Sequence, residues 1–474
     1  MKAVHHRRWK QEQNASDGRY DTDRALQLRL SMDVTDARKE LMMKERIGTK
    51  GVLFTLALSM LLGLTGCASP EAPAQASVVQ SDLSRNTDTE VPEGSLDVLA
   101  DGNTAFALDL YQQLQMQEGN LFFSPYSISL ALAMTYAGAR GATQEQMAQV
   151  MHYLLPQEEL HPAYNRLEQV LASRSDVEVP EGGEPLRINI ANAIWGQTGY
   201  TFLQSFLDTL ALNYGAGLRL VDYITDAEGA REDINAWVSD ETEGKIEDLI
   251  PPGALNSLTR LVLANAIYFN ASWLFPFEEQ ATQEGEFSLL DGTQVSVPMM
   301  YQGEMFAYLE RDGFQAIELP YIGNQTSMVI FLPDEGQFET FEEGFSPDHL
   351  SEWLEEMSTR NVMLAMPRFE YTSEMNLSQT LQAMGMERAF SDADFSGMDG
   401  TFELAISDVI HKAFVSVDEE GTEAAAATAV VMRATAIMEP GVELTIDRPF
   451  VYLIRDRETG TILFIGRVLN PEGE

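Results

Sequence analysis

The chain has 474 residues, of which 45% are hydrophobic and 9% aromatic, enough for a large apolar core. It carries 31 Lys and Arg against 73 Asp and Glu, a formal net charge of −42. Such a surface repels nucleic acid and heparin-type polyanions, so both are excluded as partners. The single cysteine, Cys67, excludes a disulfide within the chain.

The first 66 residues fall into two parts. Residues 1–41 carry mixed charge and precede a plausible start at Met42 or Met43, so we interpret them as a mis-assigned start, with a long leader as the alternative. Residues 42–66 predict a signal peptide of the lipoprotein type. A basic segment, 42–50, is followed by the apolar run 51–64, which has the length of a signal-peptide core and is short for a membrane span.

Cys67 ends the sequence Leu-Thr-Gly-Cys, which is similar to a bacterial lipobox. We therefore expect lipidation of Cys67, with an ordinary signal peptide as the alternative. Residues 67–95 contain many Pro, Ala, Ser and Glu and few large apolar side chains, which predicts a flexible tether. These features together predict an exported protein, lipid-anchored to a bacterial membrane and facing the periplasm or the extracellular space.

The motifs for enzyme chemistry are missing from the sequence. It contains no HExxH, GxSxG, GxxxxGK[ST] or CxxC, so we expect no catalytic activity, no cofactor and no metal site. Three histidines, His152, His161 and His349, stand in polar, loop-like contexts without ligand spacing, and we expect them at the surface.

An unusual segment follows a predicted strand near the C-terminus. The apolar alternation of Phe414, Val415 and Val417 predicts the strand. The segment 417–428, VDEEGTEAAAAT, would by itself fit a helical turn or a linker, because alanine favours helix. If it is extended, small or apolar side chains share one face and could enter a sheet: Thr422, Ala424, Ala426, Thr428 and Val430.

Several segments in order resemble the serpin family of serine protease inhibitors. They are 120–146 (NLFFSPYSISLALAMTYAGARGATQEQ), 242–249 (TEGKIEDL), 263–277 (LANAIYFNASWLFPF), 409–422 (VIHKAFVSVDEEGT), 444–454 (LTIDRPFVYLI) and 463–471 (LFIGRVLNP). The resemblance implies one domain over residues 96–474, of mixed α/β class. About nine helices are expected around three β-sheets, with an exposed reactive-centre loop.

The same resemblance implies roles for particular residues. The hinge of the loop would comprise Glu419, Glu420, Gly421, Thr422, Glu423, Ala424, Ala425, Ala426, Ala427 and Thr428. A cluster under the main sheet, which must part when the loop enters, would comprise Ser124, Ser127, Asn265 and His411; a buried histidine without a switching role is the alternative for His411. Contacts at the loop base would involve Arg368, Glu419 and Trp273, the last of which could equally be a plain core aromatic.

The reactive bond is placed by its distance from the hinge. Family spacing puts it about sixteen residues after Glu419, at Thr435–Ala436. Arg433 is the rival, and the positions from Ala434 to Met438 stay open. Small and apolar neighbours favour elastase-like or subtilisin-like serine proteases, with cysteine proteases as a further class.

The implied function is suicide inhibition by a monomer. The protease cleaves the loop, is held as an acyl-enzyme and is trapped when the loop inserts into the main sheet. The alternative is a non-inhibitory serpin that acts as a binding, chaperone or surface-scaffold lipoprotein.

Overall fold

The computed structural model describes residues 76–179, 183, 185–422 and 441–473. These residues form ten α-helices: α1 (Ser95–Leu114), α2 (Pro125–Tyr136), α3 (Gly141–Val150), α4 (Gln157–Ala172), α5 (Gln204–Tyr214), α6 (Ala227–Glu241), α7 (Phe338–Gly344), α8 (Pro347–Glu356), α9 (Ser378–Ala383) and α10 (Ser396–Asp399). Two short 3-10 helices cover Ser173–Ser175 and Glu279–Ala281.

Sixteen strands are found in the same ranges. They are β1 (Ser77–Val79), β2 (Leu121–Phe123), β3 (Arg187–Gln197), β4 (Leu218–Val221), β5 (Leu261–Ser272), β6 (Gln283–Ser288), β7 (Gln294–Arg311), β8 (Phe314–Pro320), β9 (Thr326–Pro333), β10 (Ser358–Pro367), β11 (Phe369–Asn376), β12 (Asp408–Val417), β13 (Gly421–Thr422), β14 (Val442–Thr445), β15 (Phe450–Asp456) and β16 (Ile462–Val468). The predicted mixed α/β class and the strand before the hinge are confirmed.

The main sheet has seven strands in the order β1-β4-β3-β5-β13-β12-β11. Its two central strands, β5 and β12, run parallel and pair directly from Asp408 opposite Val262 to Ala413 opposite Ile267. Above that point the two-residue strand β13 lies between them and pairs antiparallel with both. The upper part of the main sheet is therefore separated by the start of the hinge.

The other strands form one continuous hydrogen-bonded network, β14-β10-β7-β8-β9-β15-β16-β2, with β6 on β7. The long strand β7 connects its two halves, because its first part pairs with β6 and β10 and its last part, Ala307–Arg311, pairs with β8. Two of the three predicted sheets are thus joined through β7 in the described part of the chain.

Helix α2 lies beneath the main sheet and is buried at all twelve positions. Ser124 caps it by accepting a hydrogen bond from the Ser127 amide, and Pro125 occupies the first turn, where its missing N–H costs nothing. A helix that is apolar on every side belongs inside a core. It contacts β3, β5 and β16, and so brings its first turn under the centre of the main sheet.

Helix α6 covers the opposite face of the main sheet. Ala230, Ile234 and Val238 form a second apolar cluster with residues of β3 and β5. The Arg219 guanidinium of β4 lies 4.6 Å from the ring centre of Trp237 on α6, a cation–π contact that fastens the helix to the sheet.

The prediction of a flexible tether over residues 67–95 is wrong for its last part. Strand β1 extends the main sheet by pairing with β4. Arg85 forms a bidentate pair with Glu168 of α4, at 2.9 and 2.7 Å, and Asn165 of α4 donates to the Asn86 carbonyl. The amino-acid composition of this segment did not predict its packing, because polar residues form these contacts. Across the described ranges no helix is long and apolar enough to cross a membrane.

Candidate functional site at the opening of the main sheet

The hinge begins as a short strand inside the sheet. Thr422 lies opposite Val417 of β12 and opposite Ala271 of β5, and it is 1% exposed. Its hydroxyl is 2.8 Å from the hydroxyl of Tyr321, which is also buried. A short polar side chain with one hydrogen-bond partner can occupy this position without leaving a buried group unpaired.

Gly421 is required here by close packing. A Cβ atom at this position would lie 2.1 Å from the carbonyl oxygen of Ala271 and 2.8 Å from the Cα of Ser272. Both neighbours are backbone atoms of β5 and cannot move aside alone. The glycine therefore lets the hinge approach the central strand closely enough to pair with it.

Glu419 anchors the base of the loop and is 2% exposed. Its carboxylate accepts a hydrogen bond from Arg368 at 2.5 Å and another from the hydroxyl of Thr282. Its backbone carbonyl accepts from the Phe277 amide at 2.8 Å. The structure thus brings the two expected partners together, and Thr282 is an addition that no sequence pattern indicated.

Trp273 contacts both the core and the loop base. Its ring stacks on Tyr321 with centroids 4.6 Å apart and planes at 8°. Its indole N–H donates to the Asp418 carbonyl at 3.0 Å, and its amide donates to the Glu420 carbonyl at 2.8 Å. Both interpretations of this residue are compatible with these contacts. Burial raises the pKa of the neighbouring Asp418 carboxyl.

The four residues expected beneath the sheet form one hydrogen-bonded cluster. The amide of Ser124 donates to Nε2 of His411 at 3.2 Å, and Nδ1 of His411 contacts Oδ1 of Asn265. The amide group of Asn265 donates to the Ser127 hydroxyl at 2.7 Å. The hydroxyl of Ser124 donates to the Leu463 carbonyl at 2.6 Å, which ties the cluster to β16.

These partners fix the state of His411. Because Nε2 accepts from an amide, the ring proton lies on Nδ1 and points to the Asn265 oxygen. Burial away from water lowers the pKa of His411 to about 3. The imidazole is therefore neutral at physiological pH and joins the helix to both central strands.

Asn192 of β3 is a member that the sequence analysis missed. Its Oδ1 accepts from Asn265, and its Nδ2 donates to the Ser127 carbonyl at 3.1 Å. It lies directly opposite Asn265 in the β3–β5 pairing. A polar residue between Ile190 and Ile194 in an otherwise apolar alternation was the signal that could have found it.

Other expected residues lie elsewhere. Cys67, Arg433, Thr435, Ala436 and the hinge positions 423–428 lie outside the described residues. The expectation of a surface His161 is wrong: it is 5% exposed within α4, its Nδ1 lies 2.7 Å from the Tyr214 hydroxyl, and burial lowers its pKa to about 4. Among the residues that the structure covers, no three His, Cys, Asp or Glu side chains group as metal ligands.

The main sheet thus has two parallel central strands with the start of the following loop paired between them. A family model described as serpin (serine protease inhibitor) matches residues 101–471. An uncharacterized serpin-like protein of Thermococcus kodakarensis is 39% identical, over 89% of this chain and 99% of its own length. The human leukocyte elastase inhibitor is also 39% identical, over 79% of this chain and 100% of its own. The chain belongs to the serpin family.

A solved structure supports the same assignment. Tengpin, a thermophilic serpin in its native state, superimposes with a TM-score of 0.72 at 27% identity, covering 84% of this chain and all of its own.

Proposed function

We propose that the protein is a suicide inhibitor of serine proteases that traps its target by loop insertion into the main sheet. The observation that carries this proposal is the position of Thr422, buried between β5 and β12 with hydrogen-bonded pairing on both sides. Because β13 already lies between β5 and β12, the residues that follow Thr422 can extend it further into the same space.

The pairing of β13 fixes the register that a longer insertion would follow. Each residue added to the strand moves one position down β5 and one down β12, since both pairings are antiparallel. Thr428 then arrives opposite Asn265 and His411 together, which pair with each other before insertion. Full insertion would therefore separate Asn265 from His411 and replace their direct pairing with pairing of each strand to the inserted loop.

The same register supports the identity of the inward-facing residues. Side chains alternate between the two faces of a strand, so the positions that share the face of buried Thr422 are even-numbered. They are Ala424, Ala426, Thr428 and Val430. All are small or apolar, and charged Glu423 belongs to the other face. Insertion along this register brings no charge into the core.

The chemistry of trapping follows in two steps. The protease serine attacks the carbonyl carbon of the scissile residue, for which we propose Thr435, and the amine of Ala436 leaves with the proton taken from that serine. The freed loop then inserts, carrying the ester-linked protease with it. From Thr422 to Thr435 the inserted strand would span about 43 Å at ~3.3 Å per residue.

The test is an electrophoretic shift. Incubation of the full-length chain with leukocyte elastase, subtilisin and trypsin should give a complex that survives SDS, and mass spectrometry of the released fragment locates the cleaved bond. Elastase is the first choice because of the small loop residues and because a similar protein bears the name leukocyte elastase inhibitor. A cut after Arg433 with complex formation only by trypsin would overturn the proposed specificity.

A melting experiment distinguishes an inhibitor from a non-inhibitory relative. Cleavage of the loop by a catalytic amount of protease should raise the melting temperature. The inserted strand gains a ladder of hydrogen bonds and buries its small side chains. An ordinary protein nicked in a loop gains nothing. No complex with any of the three proteases, together with an unchanged melting temperature, would contradict the inhibitory proposal.

We also propose that Cys67 carries lipid and anchors the protein. The support is its position after the apolar run 51–64, while strand β1 begins ten residues later at Ser77. Ten extended residues reach at most about 36 Å, which would hold the domain near the bilayer. Cys67→Ser should move the protein from the detergent phase to the aqueous phase or leave an unprocessed precursor. Wild-type protein found wholly in the aqueous phase would contradict the anchor.

A further inference from the structure

A small cavity of about 180 Å³ lies where the helices α3, α4 and α5 begin. We call it the helix-start cavity. Its polar lining includes Arg140, Gln157, Glu158, His161 and Ser205. Pockets for drug-sized ligands usually measure about 300–1,000 Å³, so this cavity has room only for an ion or a very small molecule.

The three helices that meet here begin without side-chain caps. Their N-cap residues are Arg140, Pro156 and Leu203, and within the described ranges none of these side chains accepts a hydrogen bond from the first turn. The first amides of a helix need acceptors, and the aligned peptide dipoles place about half a positive charge at its N-terminus. Three positive helix ends beside one cavity favour a ligand with negative charge.

A buried donor in the cavity lining has no partner. His161 is 5% exposed, and its Nδ1 lies 2.7 Å from the hydroxyl of Tyr214. Burial raises the pKa of this phenol, so the hydroxyl keeps its proton and donates it to Nδ1. The ring hydrogen of the imidazole then lies on Nε2, which has no hydrogen-bond partner among the described residues. A buried N–H without an acceptor indicates a ligand that supplies one.

Arg140 places a full positive charge beside the same cavity. Its Nη1 donates to the carbonyls of Ala137 and Ala139 at 3.0 and 2.6 Å, which holds the guanidinium in place. Gly397 leaves room for it, because a Cβ there would lie 2.5 Å from Cζ of Arg140. In the part of the chain that the structure covers, the hydrogen bonds of this guanidinium all use Nη1, so its other N–H groups can serve a ligand.

We propose that the helix-start cavity binds a single phosphate group, either as the free ion or as part of a small phosphate monoester. Arg140 and the Nε2–H of His161 would donate to the phosphate oxygens, and the exposed hydroxyl of Ser205 would add a third donor. Glu158 is also exposed in the lining, and its carboxylate would oppose the ligand and limit the affinity. A phosphate here would join the starts of three helices, and its binding does not depend on the proposed inhibition.

The test is calorimetric titration of the full-length chain with inorganic phosphate and with glycerol phosphate, at neutral pH and constant ionic strength. Arg140→Gln should weaken phosphate binding at least tenfold, because it removes the charged donor. Ser205→Ala should weaken it about threefold. Glu158→Gln should tighten it about threefold, because it removes the opposing charge. Damage to the fold would weaken binding and could not tighten it, so this opposite change separates the site from a loss of structure.

The matched control is Arg166→Gln, which removes an exposed arginine of α4 that does not line the cavity. It should leave the dissociation constant within about twofold of wild type. Tighter binding of glycerol phosphate than of the free ion would assign the site to a phosphate monoester, and the reverse order would assign it to the free ion. Absence of phosphate binding by the wild-type chain, or equal losses in Arg140→Gln and Arg166→Gln, would overturn the site.

Discussion

The lower and upper halves of β5 and β12 differ in what holds the two strands. In the lower half they pair with each other directly, over Asp408–Ala413 and Val262–Ile267, and the buried His411–Asn265 pair joins them to α2. In the upper half the backbone of Gly421 and Thr422 lies between them.

For the proposed loop insertion, this difference predicts which half of the sheet resists opening. Exchanging one strand partner for another conserves ladder hydrogen bonds, so backbone pairing alone does not oppose opening. In the lower half, opening must also break side-chain bonds among buried groups, which are costly when left unpaired. In the proposed insertion, the upper half would therefore be the entry and the His411 cluster would be the barrier below it.

Of the substitutions considered, Thr422→Arg should have the largest effect, and it acts on the upper half of the sheet. An unpaired charge on the inward face of the entering strand costs several kcal/mol, so the loop should be cleaved as a substrate without trapping. The stoichiometry of inhibition should rise at least tenfold, whereas Thr422→Ser, which keeps the hydroxyl near Tyr321, should stay close to wild type. Complex formation by the arginine variant at wild-type stoichiometry would contradict insertion along this register.

Asn265→Ala should weaken the lower half. It removes the acceptor of the buried His411 Nδ1–H, whereas the Ser127 hydroxyl keeps its contact with Oδ1 of Asn192. Leaving the buried imidazole N–H without a partner costs about 1–3 kcal/mol, which urea unfolding would measure as a lower free energy of unfolding. Asn189→Ala, near the upper end of β3, should cost less than about 0.5 kcal/mol. Equal losses of unfolding free energy in the two variants would mean that the His411 cluster does not stabilise the fold more than an ordinary strand residue does.

Gly421→Ala tests the close approach at the entry. The added Cβ would meet the Ala271 carbonyl, so the hinge should leave the gap and lose its pairing, at a cost of about 1–3 kcal/mol. Hydrogen exchange should show faster exchange of the Thr422 amide. Gly344→Ala is the control, because its Cβ would meet nothing within 4 Å. Unchanged protection at Thr422 would show that the sheet accommodates the methyl group.

The pH dependence of stability should report the burial of His411. His411 has its pKa lowered to about 3 by burial, whereas the unfolded chain has a histidine pKa of ~6.5. Between these values the unfolded state binds more protons, so the free energy of unfolding falls as the pH is lowered, by up to about 1.4 kcal/mol per unit.

His411→Gln isolates this contribution. The variant keeps His161, whose pKa is also lowered, so the difference in slope between variant and wild type reports on His411 alone. Urea unfolding at several pH values from 4 to 7 should give a shallower decline for the variant. Parallel declines would mean that folding does not lower the pKa of His411.

Several features of the site followed from the sequence, and others did not. The alternation around Val415 predicted β12. The family pattern paired Glu419 with Arg368 at the loop base, and it grouped His411 with Asn265 beneath the sheet. Asn192 and Thr282 were missed because a single polar residue in a strand or loop does not reveal its partner. The packed segment over residues 76–95 was missed because Arg85 and Asn86 bind through charge and backbone contacts, which composition describes as polar linker.

The sequence by itself determined the family, the elements around the loop and the alternating small residues of the hinge, because strand periodicity and residue size are local properties. The tertiary structure decided that Gly421 and Thr422 are already within the sheet, that Asn192 completes the cluster and that β7 joins two sheets. These outcomes depend on which strands lie side by side and in what register, and distances between residues far apart in the chain are set only when the core is packed.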